Sequence, residues 1–237
     1  MKNVNFFKDM KFTFGIITSG NSDENIDLII NSIENQDIPE YQILIVGNSE
    51  VSRKNTEVIF FDETIKPSWI TRKKNLITIN SAYENIVYTH DYIVFEPGWY
   101  EGFLKFGEDF KICMNKIVNP DGTRFRDWVI WPNNNSIVDE IVQSNRECLI
   151  PYDMTHLSKH QYISGSYWVA KKDVMMEFPL EENLVWGQGE DVLWSMQTRE
   201  KYDFSMNSHS TVRSLKFKHP VFCVAQEETI LKLNNIK

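Results

Sequence analysis

The chain has few cysteines and no paired cysteine motif. Its 237 residues contain three, Cys113, Cys148 and Cys223, which are widely separated and form no Cys-x-x-Cys pair. An odd number of scattered cysteines predicts neither a disulfide framework nor a zinc ribbon. We therefore expect free thiols in a reducing compartment, because free cysteine usually packs as a small buried apolar side chain.

Long apolar runs are also missing. No stretch of the chain approaches the ~20 apolar residues that a helix needs to span a bilayer. Residues 1–9 lack the apolar core of a signal peptide. From these two absences we expect a cytoplasmic protein with no integral membrane segment.

Positive charge is in the minority. Twenty-five Lys and Arg against thirty-three Asp and Glu give a formal net charge of −8. This balance argues against nucleic acid or an anionic membrane as the main partner, although it allows a local basic pocket for a phosphate. With 42% hydrophobic and 24% charged residues, the composition is that of an ordinary soluble globular protein.

The first half of the chain alternates buried strands with helices. Apolar, β-branched runs predict strands at residues 11–18, 41–46, 58–61 and 85–89. Isoleucines at helical spacing predict a helix after the first strand, and a second helix is predicted over about 70–83. This order predicts an α/β fold whose central sheet is mainly parallel and flanked by helices.

The ends of three predicted strands carry polar side chains. These are Thr18-Ser19, Asn48-Ser49 and His90-Asp91. Since ligands of parallel sheets bind at the carboxyl ends of the strands, we expect the three pairs to converge on one crevice.

The second half is less regular. Strands are predicted within 110–118 and over 162–170, and helices over 190–202 and from about 137–142. No internal repeat, low-complexity tract or flexible linker separates the two halves. We therefore expect one domain over residues 1–237, a length that suits a single large domain.

The most informative stretch is Trp186-Gly187-Gln188-Gly189-Glu190-Asp191. Its glycines allow a sharp turn and a close approach to a ligand, and its tryptophan offers a flat apolar surface. Its adjacent carboxylates can take the proton of a bound hydroxyl group. This combination suggests a loop that handles a sugar. A well-capped helix start explains the same two acids, because negative side chains favour the helix dipole.

The opening β-α-β unit, the His90-Asp91-Tyr92 strand end and the Trp186–Asp191 loop, in this order, resemble glycosyltransferases of the GT-A fold. The likeness is to family 2 of these enzymes and to galactosyltransferases with a Trp-Gly-x-Gly-Glu-Asp type of loop, and it spans about residues 12–219. It implies a hexosyltransferase-like enzyme of polysaccharide biosynthesis. Such an enzyme moves a sugar from a nucleotide diphosphate, here a UDP-sugar, to a hydroxyl acceptor on a glycan or glycoconjugate. Residues of about 10–110 would bind the nucleotide-sugar, and about 111–237 would bind the acceptor and carry catalysis.

The resemblance implies a set of donor-binding residues at strand and helix ends. These are Thr18, Ser19, Asn48, Lys74, Asn75, His90, Asp91 and Gly165. Asn48 stands where many members have an aspartate that contacts the base, and Lys74-Asn75 match a helix start that faces the nucleotide. Gly165 matches a small-residue strand beneath the donor sugar. Each also has a purely structural interpretation, as a turn, a solvated helix face or a tightly packed strand.

His90-Asp91-Tyr92 matches the Asp-x-Asp motif that holds a divalent cation in this family. The cation, Mn2+ or Mg2+, neutralises the charge of the diphosphate leaving group. Tyr92 replaces one of the expected carboxylates, so the resemblance leaves Asp91 as the carboxylate ligand. It adds His219 as a second metal ligand, whose nitrogen suits Mn2+.

By match to the family, Asp191 is the general base of an inverting displacement and Glu190 orients sugar hydroxyls. Trp186 would stack on a sugar face, with Gly187 beside it in the acceptor site. Two other functions stay open. A nucleotidyltransferase uses a similar crevice, but its glycine-rich loop usually ends in a basic residue, which the turn at residues 19–22 lacks. A catalytically inactive glycan- or nucleotide-binding module is the other, and Tyr92 favours it. The oligomeric state is left open.

Overall fold

The computed structural model describes residues 9–130, 148–153 and 161–218. The strands are β1 (Phe12–Ile17), β2 (Tyr41–Val46), β3 (Thr56–Ile59), β4 (Asn85–His90), β5 (Ile93–Phe95), β6 (Ile112–Val118), β7 (Arg124–Phe125), β8 (Val129–Ile130), β9 (Cys148–Leu149), β10 (Gln161–Tyr162), β11 (Tyr167–Lys171) and β12 (Phe204–Ser214). The helices are α1 (Asp23–Glu34), α2 (Ile70–Asn80), α3 (Trp99–Phe106), α4 (Lys172–Glu177) and α5 (Glu190–Thr198).

Nine of the strands form one central sheet. Its order is β3-β2-β1-β4-β11-β6-β12-β5, with β7 paired to β6. The strands β3, β2, β1 and β4 are parallel, whereas β11 runs antiparallel to both β4 and β6. A second sheet of three short strands has the order β10-β8-β9. The predicted α/β fold is confirmed. Its parallel strands are the four that the apolar runs in the first half of the chain predicted.

Burial explains why the first strands are so apolar. All six residues of β1 are buried, because β1 lies between β2 and β4 in the sheet. On α1, the residues Ile26, Ile29, Ile30 and Ile33 are buried, which is the spacing of one helix face. An aromatic cluster extends this core, with the Phe14 ring 5.1 Å from Phe95 and 5.4 Å from Trp99. One hydrophobic cluster includes residues from Met10 to Val212.

The strand predicted over 162–170 is two strands in different sheets. Tyr162 ends β10 in the small sheet, and Tyr167 begins β11 in the central sheet. Between them the chain turns, with the Tyr167 N–H donating to the Ser164 carbonyl at 3.1 Å. This turn places Gly165 between the two strands and outside both.

Other differences concern a short apolar strand, a long strand with buried polar residues and the ends of two helices. The prediction missed β5 and the long β12, whose buried face includes Asn207, Ser210 and Ser214. These side chains are satisfied locally, since the Asn207 amide donates to Ser210 Oγ at 2.8 Å. The helices α2 and α5 end at Asn80 and Thr198, earlier than predicted. The helix predicted from about 137–142 lies outside the described residues.

The cysteines and the lengths of the helices bear on two expectations from the sequence. Cys113 is a free, buried cysteine, while the Cys148 side chain and Cys223 lie outside what the structure describes. Burial raises the pKa of the Cys113 thiol, so the thiol stays protonated. None of the helices in the described ranges is both long and apolar enough to cross a membrane.

Helix α2 packs tightly against the sheet at Gly15 of β1. A Cβ atom on Gly15 would overlap the side chain of Ile77, which is fully buried on α2. The missing side chain therefore sets the distance between α2 and β1. This distance matters because α2 carries Arg72, Lys73, Lys74 and Asn75.

We expect Gly15→Ala to lower the free energy of unfolding by about 1–3 kcal/mol, the usual cost of overpacking a core. This cost exceeds the roughly 0.5–1 kcal/mol that alanine gains over glycine within a strand. Denaturant unfolding measures the change. Combining it with Ile77→Ala, which removes the overlapping atoms, should cost less than the sum of the two single changes. Simple additivity would contradict the contact.

Candidate active site

The ends of β1 and β4 meet through their side chains. Ile17 pairs with His90 in the sheet, so the next residues, Thr18 and Asp91, are brought side by side. The Thr18 hydroxyl donates to Asp91 Oδ2 at 2.8 Å, and the Asp91 N–H donates to the Ile17 carbonyl at 3.2 Å. Both side chains are buried. The predicted convergence of these two strand ends is present.

Two cavities open beside this pair and share part of their lining. The smaller, of about 190 Å³, is lined by Thr18, Ser19, Lys73 and Asp91, among others. The larger, of about 450 Å³, is lined by Gly165, Gly187, Glu190 and Asp191, among others. His90, Tyr92 and Trp186 line both. We call the two cavities together the crevice.

Asp191 is fixed at the wall of the crevice by backbone N–H groups. Its Oδ2 accepts a hydrogen bond from the Gly165 N–H at 2.9 Å, and its Oδ1 accepts one from the Val192 N–H at 2.9 Å. A Cβ atom on Gly165 would lie 2.8 Å from Asp191 Oδ2 and 3.0 Å from Glu190 Oε1. Glycine is therefore required at residue 165 because the carboxylates occupy the space of a side chain.

The loop before Asp191 turns at two glycines. Gly187 has φ +82° and Gly189 has φ +74°, values that favour glycine, and Gly189 is the N-cap of α5. Trp186 is 65% exposed although it lines both cavities. A large apolar ring that borders a cavity and stays open to solvent has the form of a stacking surface for a ligand.

Lys74 lies behind the crevice wall and does not line it. Its side chain is 1% exposed, and its Nζ donates to the Gly165 carbonyl at 2.8 Å. The ammonium also lies 3.8 Å from Glu190 Oε1 and 4.6 Å from the centre of the Trp168 ring. Burial lowers the pKa of Lys74, and the charges of Glu190 and Asp191 oppose this. Burial also raises the pKa of Glu190, with Lys74 opposing the rise.

The start of α2 faces the segment that leads into the Trp186–Asp191 loop. The Asn75 amide donates to the Leu180 carbonyl at 2.9 Å and accepts from the Leu180 N–H at 3.0 Å. Arg72 pairs with Glu182 at 3.0 Å. Just before α2, the Trp69 indole N–H donates to the Glu182 carbonyl at 2.6 Å. In this structure Asn75 therefore holds the loop segment, and neither end of its amide points to the crevice.

Asn48 borders a different cavity. That cavity, of about 510 Å³, lies between the end of β2 and the start of α1. Its wall is organised by Asp23, whose carboxylate accepts from Ser49 Oγ at 2.7 Å and from the Glu50 N–H at 3.2 Å. Of the three predicted strand-end pairs, the structure thus brings two into the crevice and places the third beside it.

Basic side chains cover one side of the crevice. The Nζ atoms of Lys218 and Lys216 lie 4.6 Å and 5.3 Å from the centre of the Tyr92 ring. Lys218 and Arg126 line the larger cavity. Burial lowers the pKa of His90 well below its usual value, and the positive charges of Lys74, Lys218 and Lys73 add to this, so the imidazole is neutral. The prediction did not include Lys216 and Lys218, although both follow the last strand in a Lys-Phe-Lys pattern.

The described residues offer few ligands for a metal ion. No group of three or more His, Cys, Asp and Glu side chains within residues 9–130, 148–153 and 161–218 could hold one. Asp91 is the predicted ligand that the structure describes, and one of its oxygens accepts the Thr18 hydroxyl. His219, the other predicted ligand, lies outside the described residues.

No protein-family profile matches the chain, and no curated protein sequence is significantly similar to it. Solved structures are similar in fold. The Staphylococcus aureus protein TarS (residues 1–349) in complex with UDP-GlcNAc superposes with a TM-score of 0.58 at 14% identity, over 94% of this chain and 64% of TarS 1–349. GalNAc-T7 with UDP, GalNAc and Mn2+ gives a TM-score of 0.62 at 11% identity, over 87% of this chain and 44% of GalNAc-T7.

These likenesses establish that the chain has the GT-A fold that its sequence resembles. A second structure of TarS 1–349 superposes with a TM-score of 0.56, and the chain spans about 60% of its length. The similar proteins are therefore considerably longer than this chain. At such low identity the shared property is the fold. Activity has to be argued from this chain's own residues.

We expect Asn75→Ala to lower the free energy of unfolding by about 2 kcal/mol, because it leaves buried backbone groups of Leu180 without partners. Asn80→Ala on the same helix is the matched control, since the Asn80 side chain is exposed and its amide donates to the Leu76 carbonyl. It should change stability by less than about 0.5 kcal/mol. Denaturant unfolding measures both. Equal stability of the two variants would show that Asn75 does not hold the loop segment.

Proposed function

We propose that this chain is a glycosyltransferase that moves a sugar from a nucleotide diphosphate, a UDP-sugar, to a hydroxyl group. The observation that carries the proposal is the position of Asp191. Its carboxylate is held by the Gly165 N–H at the wall of a cavity that continues to the Thr18–Asp91 strand ends. A base and a strand-end ligand site therefore share one crevice, as a two-substrate transfer requires. The TarS and GalNAc-T7 complexes, which contain UDP-GlcNAc and UDP, support the donor class.

The proposed step is a direct displacement that inverts the sugar carbon. The acceptor oxygen forms a bond to the anomeric carbon, and the bond from that carbon to the diphosphate oxygen breaks. The proton of the acceptor hydroxyl passes to Asp191, and the electron pair leaves with the diphosphate. A positioned carboxylate base contributes about 10²–10⁴-fold to such a step. The two backbone N–H donors keep the Asp191 carboxylate oriented throughout.

The acceptor side consists of the loop and its exposed ring. Trp186 stacks on a sugar face at the cavity mouth, and Gly187 lets the chain turn there without a side chain in the way. Glu190 is buried and lies 3.8 Å from Lys74, so it has a fixed place from which to orient hydroxyl groups. The acceptor class is a glycan or glycoconjugate, as in polysaccharide biosynthesis. These residues belong to the half of the chain at about 111–237.

The donor side comes from the half at about 10–110, with Gly165 beneath the donor sugar. Thr18, Ser19, His90 and Asp91 line the smaller cavity, where the diphosphate and ribose are placed. The cavity beside Asn48 adjoins this region and has room for the base. Lys74 contributes its charge from behind the wall rather than a direct contact.

A divalent cation is the part of the proposal that the described residues fit least well. The presence of Mn2+ in the GalNAc-T7 structure supports a bound cation. The sequence resemblance gives Asp91 and His219 as its ligands. Among the described residues, the strand end at Asp91 supplies one carboxylate, already bonded by Thr18, and the neighbouring Tyr92 ring faces Lys216 and Lys218. A hard divalent cation prefers several oxygen ligands and is repelled by ammonium groups. We therefore derive no catalytic step through a metal.

A catalytically inactive glycan- or nucleotide-binding module is the second candidate. Tyr92 favours it, because a phenol stands where a metal-binding carboxylate is expected. A nucleotidyltransferase has less support, since residues 18–22 between β1 and α1 contain no basic side chain. Hydrolysis or transfer from a panel of sugar nucleotides distinguishes the candidates. Binding without any turnover would favour the module.

We expect Asp191→Asn to lower kcat by about 10² or more while leaving donor affinity unchanged, because the amide cannot accept the proton. The matched control is Asp173→Asn, an exposed aspartate at the start of α4 that pairs with Lys111. Steady-state transfer rates and donor titration give the two readouts. Retention of more than about a tenth of the rate would remove Asp191 from the base role.

A further inference from the structure

The Tyr92 ring marks an unusual corner of the crevice. This residue follows Asp91 directly, at the position where a second carboxylate is expected from the sequence. Its ring borders both cavities of the crevice and faces the ammonium groups of Lys218 and Lys216 at 4.6 and 5.3 Å from its centre. The face of the Tyr92 ring therefore attracts these positive side chains through cation–π contacts.

The two lysines are held in place by the fold. The Leu215 N–H donates to the Tyr92 carbonyl at 2.7 Å, which ties the end of β12 to the Asp91-Tyr92 strand end. The Lys218 N–H donates to Asn119 Oδ1 at 2.8 Å, and Asn119 is fully buried. The Ser214 hydroxyl donates to the Lys216 carbonyl at 2.6 Å. These anchors give the two ammonium groups a defined place beside the crevice.

Basic side chains line the crevice although the chain is acidic, and in the larger cavity they share the lining with Glu190 and Asp191. Lys218 and Arg126 line the larger cavity and Lys73 lines the smaller. Lys73 forms an ion pair with Glu63 and donates to the Thr18 carbonyl at 2.7 Å, so its charge is already balanced. Asp91 is the carboxylate at the strand end. The ammonium groups of Lys218 and Lys216 thus lie together beside Tyr92, where the diphosphate of the proposed donor would lie, and they strengthen each other's attraction for an anion.

Two ammonium groups carry the charge of one divalent cation. Lysine binds phosphate oxygens as a point charge with three donors, so it can neutralise a diphosphate without a metal ion. We propose that Lys218 and Lys216, held on the Tyr92 ring, bind the diphosphate in place of a divalent cation. The inference rests on the proposed function, since that function supplies a nucleoside diphosphate as the ligand. In this proposal two lysine ammonium groups take the role that the sequence assigned to a metal ion bound by Asp91 and His219.

Titration calorimetry with inorganic pyrophosphate and with UDP, both in EDTA, tests the proposal. We expect both to bind without metal, and we expect Mn2+ in place of EDTA to leave the affinity for UDP unchanged. Lys218→Gln should weaken both ligands about tenfold or more, since it removes a charge-assisted contact. Lys216→Gln should add to the loss. Lys218→Arg keeps the charge and should retain most of the affinity.

Lys54→Gln is the matched control. Lys54 is exposed and precedes β3, at the edge of the parallel strands opposite to their carboxyl ends. If Lys54→Gln lost as much affinity for pyrophosphate and UDP as Lys218→Gln, the loss would come from the change in net charge alone. That result would overturn the proposal. Asp91→Ala should change UDP affinity to the same extent in EDTA and in Mn2+, whereas a metal site would lose its Mn2+-dependent binding in this variant.

The outcomes separate this inference from the proposed function. Binding of UDP only with Mn2+ would overturn the lysine site and leave the glycosyltransferase standing. Binding of pyrophosphate in EDTA with no binding of UDP would support the lysine site and count against the nucleotide donor. No binding of either ligand under any condition would overturn both.

Discussion

The buried ammonium of Lys74 is the interaction on which the site depends. It joins three parts of the chain, because α2 carries it, the Gly165 carbonyl accepts its hydrogen bond and Glu190 of α5 pairs with it. An unpaired charge in this position would cost several kcal/mol, so the three parts are stable only together. The same contact fixes the Gly165 N–H, which in turn holds Asp191. The geometry of the proposed base thus depends on a lysine that lies behind the crevice wall.

Helix α2 connects the two sides of the crevice. Lys73 donates to the Thr18 carbonyl on the donor side, while Arg72 and Asn75 hold the segment that leads to the Trp186–Asp191 loop. Gly15 sets the distance of the helix from the sheet. Because one rigid helix positions both sides, the separation between the strand ends and Asp191 is determined by core packing. Reacting groups gain most from being held in this way.

Charge is distributed unevenly over this acidic chain. The net charge of −8 belongs to the whole molecule, whereas Lys216 and Lys218 meet beside the crevice. Positive side chains in a cleft attract an anion despite the overall charge, since charges at the exposed surface are screened over about 10 Å. Burial lowers the pKa of His90, and the positive charges of Lys74 and Lys218 add to this. The chemistry of the crevice therefore follows from its own residues rather than from the composition.

The sequence by itself determined the parallel half of the fold and the candidate residues at its strand ends, because apolar runs and helical spacing depend on neighbours along the chain. It also singled out the loop with Asp191. It could not reveal β12, where the buried Ser210 hydroxyl donates to the Trp99 carbonyl, a partner that only folding supplies. Nor could it show that Asn75 faces Leu180 or that two lysines cover Tyr92. Those contacts join residues more than a hundred positions apart, so only the tertiary structure decided them.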